Sequence, residues 1–356
     1  MTNINFIFAK MLKQALGLCL LLATFVVSSC QQSAYYPLAS GRPYEVLVVM
    51  DAKTWEAPAG RALFDILDTD VPGLPQSERS FRISHTDPKH FDLALSIFRN
   101  IIRVNIDPKQ FSQTRMRFVR DKYARDQIIL TINTPSEDDF RQFCIKHKQE
   151  VIDFFTRTEI NRLVKELEEK HSKCTYELAW QIFTCKMYAP EELKNYKKGN
   201  HFLWTSNNTA SGMENICMYS YPYEGPETFR KDYVIAKRDS AMKANLPGER
   251  PGMYMKTDSL CTEVKSINVH GQYAMEIRGL WYMEGDCMGG PFVSHSRVDT
   301  ETNTVVVVEG FVYAPEKMKR GLMRRLEGSL YTLQLPAEQY SLEVETGLEE
   351  EKEAKQ

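Results

Sequence analysis

The sequence has almost no net charge of either sign: 45 Lys and Arg stand against 47 Asp and Glu over 356 residues, a formal balance of −2. That excludes the visibly basic surface of a nucleic-acid-binding domain, and no nucleic acid is expected as a partner. CxxC and HExxH spacings are both missing, so neither a zinc ribbon nor a zincin is indicated. No metal or other cofactor is expected. With 18 Gly and 16 Pro the chain is far from collagen-like or low-complexity composition. There is also no apolar run of the roughly 20 residues that a helix needs to cross a bilayer. What remains is ordinary globular material, 43% hydrophobic and 11% aromatic.

The first 29 residues are not read as fold. Lys10 and Lys13 precede an apolar run from Ala15 to Val27, too short to span a membrane but suited to a cleaved export signal. Val27-Ser28-Ser29-Cys30 closes it. This ending resembles the lipobox of bacterial lipoproteins, which implies diacylation and N-acylation (palmitate among the chains) at Cys30 and attachment to a membrane by its lipid. Translation starts at Met1 or at Met11, which makes the more conventional signal. The body that follows is charge-balanced, because residues 343–356 hold six Glu and two Lys and so carry the acidity. A run such as Glu349-Glu350-Glu351-Lys352-Glu353 predicts a solvated tail.

Six further cysteines, Cys144, Cys174, Cys185, Cys217, Cys261 and Cys287, enter an oxidising compartment if the chain is exported. Pairing is then allowed, and six cysteines permit about 15 connectivities among which spacing does not choose.

Alternating and buried-strand patterns predict strands at residues 44–51, 81–84, 101–106, 116–120 and 127–133, with a helix at 61–67 and a long helix from about Ser136. Thr156 and Glu159 have capping-box spacing and predict a break there. A second series follows: strands at 215–221, 253–256, 274–281, 293–298 and 305–315, and a helix at 229–244 before a last one. Strand-like runs at Ile182–Tyr188 and His201–Trp204 lie between the series. Landmarks recur in step, Pro72-Gly73 and Glu78-Arg79 answering Pro247-Gly248 and Glu249-Arg250, and Ile102-Arg103 answering Ile277-Arg278. The expected fold is therefore α+β: two tandem related α/β-sandwich units arising by internal duplication, with mostly antiparallel sheets, loosely ferredoxin-like. Its expected segments are a signal peptide at 1–29, a tether at 30–43, a first unit at 44–157, a connecting helix at 158–179, a second unit at 180–336 and an acidic tail at 337–356. Prolines followed by acids, as in Pro135-Ser136-Glu137, mark helix starts, which makes those acids structural.

Arg278 to Phe292 has the most character. GDCMGGPF is similar to the nucleophile loop of chymotrypsin-like proteases, but Met288 shifts the glycines relative to Cys287, and a Gly-Gly-Pro turn is the simpler reading. The candidate functional surface is Arg278, Trp281, Asp286, Gly289, Gly290 and Glu309, and no catalytic residue is assigned. Two other groupings are weighed and set below structural readings: His85, Asp87 and His90 as metal ligands, and Cys287, His295 and Asp299 as a triad. Trp204, Tyr219, Tyr221, Tyr223, Trp281 and Tyr282 form either a sheet core or a stacking surface. Asp239-Ser240-Ala241 and Asp258-Ser259-Leu260 fit a short O-glycosylation pattern.

YEVLVVMD after the lipobox, then RGLW, MGGPF, GFVYAP and KRGLMRRLE, resemble a family of Bacteroidota lipoproteins known only as a domain of unknown function, over roughly residues 40–335. The resemblance implies no activity and no catalytic residues. It implies an outer-membrane lipoprotein, and since Cys30 is followed by Gln31-Gln32-Ser33-Ala34 rather than by acids, one that faces the periplasm. The expected function is non-enzymatic binding or assembly in the cell envelope, with an envelope protein or a glycan as partner. Alternatives are a carbohydrate-binding lipoprotein or an envelope hydrolase using Asp286, Glu284 or Glu309 with Arg278.

Overall fold

The computed structural model describes residues 36–338 apart from 211, together with 342, 345–348 and 350. The export signal and Cys30 lie outside the described residues, as does most of the acidic run.

The first sheet grows from a strand that is apolar on both faces. Glu45–Val49 (β1) has Val46 and Val48 toward one layer and Leu47 and Val49 toward the other, so it occupies an interior position with parallel neighbours. Arg82–Thr86 (β2) and Asn100–Ile106 (β3) flank it in parallel. Ile128–Thr134 (β5) follows β3 in parallel, and Arg115–Arg120 (β4) closes the sheet antiparallel, giving the order β2-β1-β3-β5-β4. One face is covered by three helices. Pro58–Leu67 (α2) follows the short Ala52–Glu56 (α1) and starts on a proline preset for helical φ. Glu137–Lys146 (α4) is capped by Ser136, with Glu137, Asp138 and Asp139 at its positive end. Lys148–Glu169 (α5) supplies Val151, Phe154 and Phe155 to the same core. A single-turn helix, Leu93–Ser96 (α3), lies on the other side with Phe91 and Phe98. The helix break predicted at Thr156 falls instead at His147, because Phe154, Phe155 and Ile160 sit on one continuous buried stripe.

The second sheet has seven strands, all antiparallel, in the order β6-β7-β8-β12-β11-β10-β9. These are Asn195–Gly199, Phe202–Ser206, Met213–Pro222, Met255–Val269, Gln272–Met283, Gly289–Asp299 and Thr304–Tyr313 in chain order from β6. Lys231–Asn245 (α7) packs on one face. Lys173–Phe183 (α6) and Arg320–Leu330 (α8) pack on the other, so Val305 to Val308 in β12 are buried on both sides.

The class is α+β, and seven of the ten strand pairings are antiparallel. The expected kinship of the two units does not extend to topology: one sheet is a mixed, mainly parallel 2-1-3-5-4, the other is wholly antiparallel with a crossover between β8 and β9, and neither has ferredoxin-like order. The landmarks also differ in role. Glu78 is buried and caps a helix of the other unit, whereas Glu249 is exposed in a turn. Alternation of strand and helix recurs in any α/β chain, so ordered offsets alone do not imply common topology.

The acidic tail is not simply solvated where it is described. Leu342 is buried beside Ile160 and Val164, Leu348 packs on the first core, and Glu350 forms a bridge with Phe118. Arg157 also donates to the Glu345 carbonyl at 3.0 Å. Leucines interspersed among the acids provide apolar anchors that outweigh the preference of a charged run for water.

No helix among the described residues is long and apolar enough to cross a membrane.

Candidate functional site

The six residues singled out in the sequence do not form one surface. Arg278, Glu309, Trp281 and Gly290 are buried; Asp286 is exposed in the β10–β11 turn, where it accepts from the Cys287 amide at 2.6 Å. The second sheet separates the first two. Arg278 is on the α8 side, in a buried network with Glu276, Glu327 and Arg324. Glu309 faces α7, where Arg238 holds it bidentately at 2.7 and 2.8 Å over the Phe292 ring. Burial raises the Glu309 carboxyl and Arg238 opposes that rise. The hydrolase pairing of Arg278 with Glu309 therefore has no common site. Gly290 is required by contact: a Cβ there would lie 2.0 Å from the Val312 carbonyl oxygen, beside Trp281.

The other groupings separate as well. Cys287 is exposed in the turn, His295 is fully buried against Glu276 and Tyr331, and Asp299 closes a turn with Thr302. Asp87 caps the turn Pro88–His90, His85 stacks on Trp55 and His90 is exposed. No group of three potential metal ligands occurs among the described residues. The six described cysteines are free thiols. Of the aromatic set, Tyr219, Tyr221 and Trp281 are core and Tyr282 is exposed.

A site does form where the two units meet. Helix α8 carries Met323, Leu326 and Leu330 into the second core, which leaves Arg320 and Arg324, one turn apart, on the side facing the first unit. It approaches α5 closely because Gly328 has no side chain; a Cβ there would lie 2.4 Å from Leu163 Cδ2. The Glu78 carboxylate of the first unit caps α8, accepting from the Lys319 amide at 2.7 Å and the Arg320 amide at 2.8 Å. Between these elements runs a cleft of about 550 Å³. Its first-unit wall is the turn Arg42-Pro43-Tyr44, Arg82 at the start of β2, Arg99, and the Glu159 to Leu167 stretch of α5. Pro190 to Glu192 and the first turns of α8 form the opposite wall.

The lining holds eight Lys or Arg and four Glu. Most of the acids are already committed. Glu159, 3% exposed, binds Arg99 and Arg162 at 2.7 Å each and accepts from Asn100. Lys170 pairs with Glu191 at 2.8 Å, and Arg325 reaches Glu192 and Glu214. Arg42 and Arg82 are exposed and have no side-chain hydrogen bond or ion pair among the described residues, while Arg320 donates to the Arg79 carbonyl. Burial, then the neighbouring Arg82, lowers the Arg320 guanidinium pKa; Glu78 opposes them and Arg324 adds to the lowering, so the net direction is down. Burial, followed by repulsion from Arg99, opposes the attraction of Glu159 at Arg162 and leaves its pKa lowered too. Tyr44 lies among them with φ of 58°, a costly conformation for a bulky residue. Its ring sits 5.0 Å below the Arg324 guanidinium, and its buried hydroxyl has no hydrogen-bond partner among the described residues.

Two families match the chain, one for each unit. Residues 39–168 are similar to the family described as Domain of unknown function (DUF8532), and residues 174–332 to the one described as Domain of unknown function (DUF4837). No curated protein matches. The junction between the matches falls between α5 and α6, so the cleft draws residues from both and is complete only when the units are joined.

A second cavity, about 690 Å³, opens at the carboxyl ends of β1 and β3, the switch point of the parallel sheet. Asp51, Asp107 and Glu137 line it. Asp51 and Asp107 accept from amides of their own turns, and Glu137 from Thr54.

Sequence reasoning missed the cleft because Arg42, Arg82 and Arg320 lie far apart in the chain. KRGLMRRLE supplied a signal, since arginines four apart on an amphipathic helix mark a cationic face, but its partner wall was not legible.

Proposed function

We propose that this chain is an envelope lipoprotein, acylated at Cys30 and held at the periplasmic face of the outer membrane, which binds an anionic partner in the cleft between its units. The carrying observation is the arginine cleft itself: two exposed guanidinium groups without side-chain partners among the described residues and a third, Arg320, beside Arg82 and Arg324, at a junction of two units. Ligand sites favour such junctions, and a cation cluster exposed at low local dielectric attracts anions. The lipobox-like Val27-Ser28-Ser29-Cys30 supports the anchor. Binding is favoured over hydrolysis because the sheet separates Arg278 from Glu309.

Two measurements test this reading. Palmitate incorporation and sedimentation with outer membranes should both be lost in Cys30→Ser; a variant that still acquires acyl chains removes the anchor. Photo-crosslinking from a cleft position in native membranes should give a defined adduct that Arg82→Glu with Arg320→Glu abolishes. An adduct pattern unchanged by the double reversal overturns the assignment of the cleft.

A further inference from the structure

We infer that the cleft takes a phosphate group carried on an apolar body, with Arg42, Arg82 and Arg320 receiving the phosphate oxygens. The inference rests on the cleft being the binding site and adds the chemistry of what it holds.

The charge arithmetic of the lining leads to it. Both oxygens of Glu78, the acid nearest Arg320 in the hydrogen-bond pattern, are used on the backbone amides of Lys319 and Arg320. Glu159 is consumed by Arg99, Arg162 and Asn100, and Glu327 by Arg278 and Arg324. Glu191 and Glu192 hold Lys170 and Arg325. Among the described lining residues, Glu166 is the one carboxylate with no side-chain partner, and it is exposed on α5. Arg42 and Arg82 therefore have no carboxylate on their guanidinium groups among the described residues, and Arg320 has only the nearby charge of Glu78, whose oxygens are turned to the amides. A monocarboxylate offers two acceptor atoms and one charge. A phosphate monoester offers three terminal oxygens and up to two charges, which suits several planar donor forks at once.

The remainder of the lining sets the body of the ligand. Pro43, the Tyr44 ring, Leu163, Leu167 and Pro190 supply apolar surface beside the arginines. Burying an alkyl chain there contributes about 0.8 kcal/mol per CH₂, whereas a free inorganic ion gains nothing from it. Lipid headgroups and soluble phosphoesters share this chemistry, and a lipid-anchored protein meets the first at high local concentration.

The test uses the full acylated chain in phosphatidylcholine nanodiscs, titrated with hexyl phosphate, inorganic phosphate and hexanoate by calorimetry. Hexyl phosphate should bind more tightly than either of the others. Arg82→Gln with Arg320→Gln should weaken it at least about tenfold at an unchanged melting temperature, the loss expected for two charge-assisted donors. Equal or tighter binding of hexanoate or of inorganic phosphate overturns the inference and leaves the anion-binding cleft standing. Binding of none of the three, or hexyl phosphate binding that the double variant does not alter, removes both. Phosphatidic acid added to the nanodisc identifies the source: loss of hexyl phosphate binding assigns a lipid headgroup from the anchoring bilayer, and retention assigns a soluble phosphoester.

Discussion

The carboxylate of Glu78 lies 2.8 Å from the backbone nitrogen of Arg320, 242 residues away in sequence, and satisfies the first amides of α8 from the other unit. A helix cap is normally local. Here an acid of the loop before β2 fixes where α8 begins, and with it the position of the Arg320 and Arg324 side chains in the cleft.

Removing this cap should loosen the junction. Glu78→Ala is expected to lose about 2 kcal/mol in urea titration, the cost of a lost helix cap plus unsatisfied buried amides. Glu78→Gln, which keeps one acceptor oxygen, should lose less. An alanine variant as stable as the wild type would show that Glu78 does not tie the units together.

The pair Arg238–Glu309 is buried almost completely, with the two side chains 1% and 0% exposed. Glu309→Ala strands a buried guanidinium and should cost about 3–5 kcal/mol. Replacing both partners, Arg238→Met with Glu309→Leu, removes the charge and the obligation together and should cost no more than about 1.5 kcal/mol. Denaturation midpoints of the two variants decide it: a double variant worse than the single indicates that the pair itself is strongly stabilising.

Acid should destabilise the second unit through Glu276 and Glu327. Burial alone would raise both carboxyls. Arg278 overrides it at each site, aided by His295 at Glu276 and by Arg324 at Glu327, and holds both below the ordinary carboxylate range. A depressed native pKa means that the unfolded chain binds more protons, so the associated stability is present above the unfolded value near about 4.3 and declines as pH falls below it toward the native value. Unfolding free energy measured against pH should fall over this acid range, with a shallower slope in Glu276→Gln. An unaltered slope in that variant would exclude Glu276 as a source.

The GDCMGGPF segment should behave as a turn and a tight strand contact rather than as a nucleophile loop. Gly290→Ala drives a Cβ into the Val312 carbonyl and should cost about 2–3 kcal/mol. Cys287→Ser, at an exposed turn position, should change stability by less than about 0.5 kcal/mol. Thermal melts of the two variants separate the roles, and equal effects would contradict the close contact at Gly290.

Much of the fold was legible because it is local. YEVLVVMD reads as an interior strand from its uninterrupted apolar run, and Pro135-Ser136-Glu137 as a helix start from cap and dipole chemistry. What failed was relational. Arg278 and Glu309 looked like neighbours in a chemical set, but they occupy different strands with side chains on opposite faces of a sheet, and residue spacing along the chain does not determine such a relation. The parallel first sheet was missed for a related reason, since strand direction depends on which crossover helices cover which face.

The near-neutral composition, the lipobox-like leader, the α+β class and the positions of most strands and helices were determined by the sequence itself, because each rests on residue type and short-range periodicity. The opposition of Glu78 to α8, the burial of Arg278 and Glu309, the docking of the tail leucines and the convergence of Arg42, Arg82 and Arg320 were decided only in three dimensions. Packing α5 against α8 across Gly328 brings distant residues to one place, and the electrostatics of that place depend on which acids are already spent.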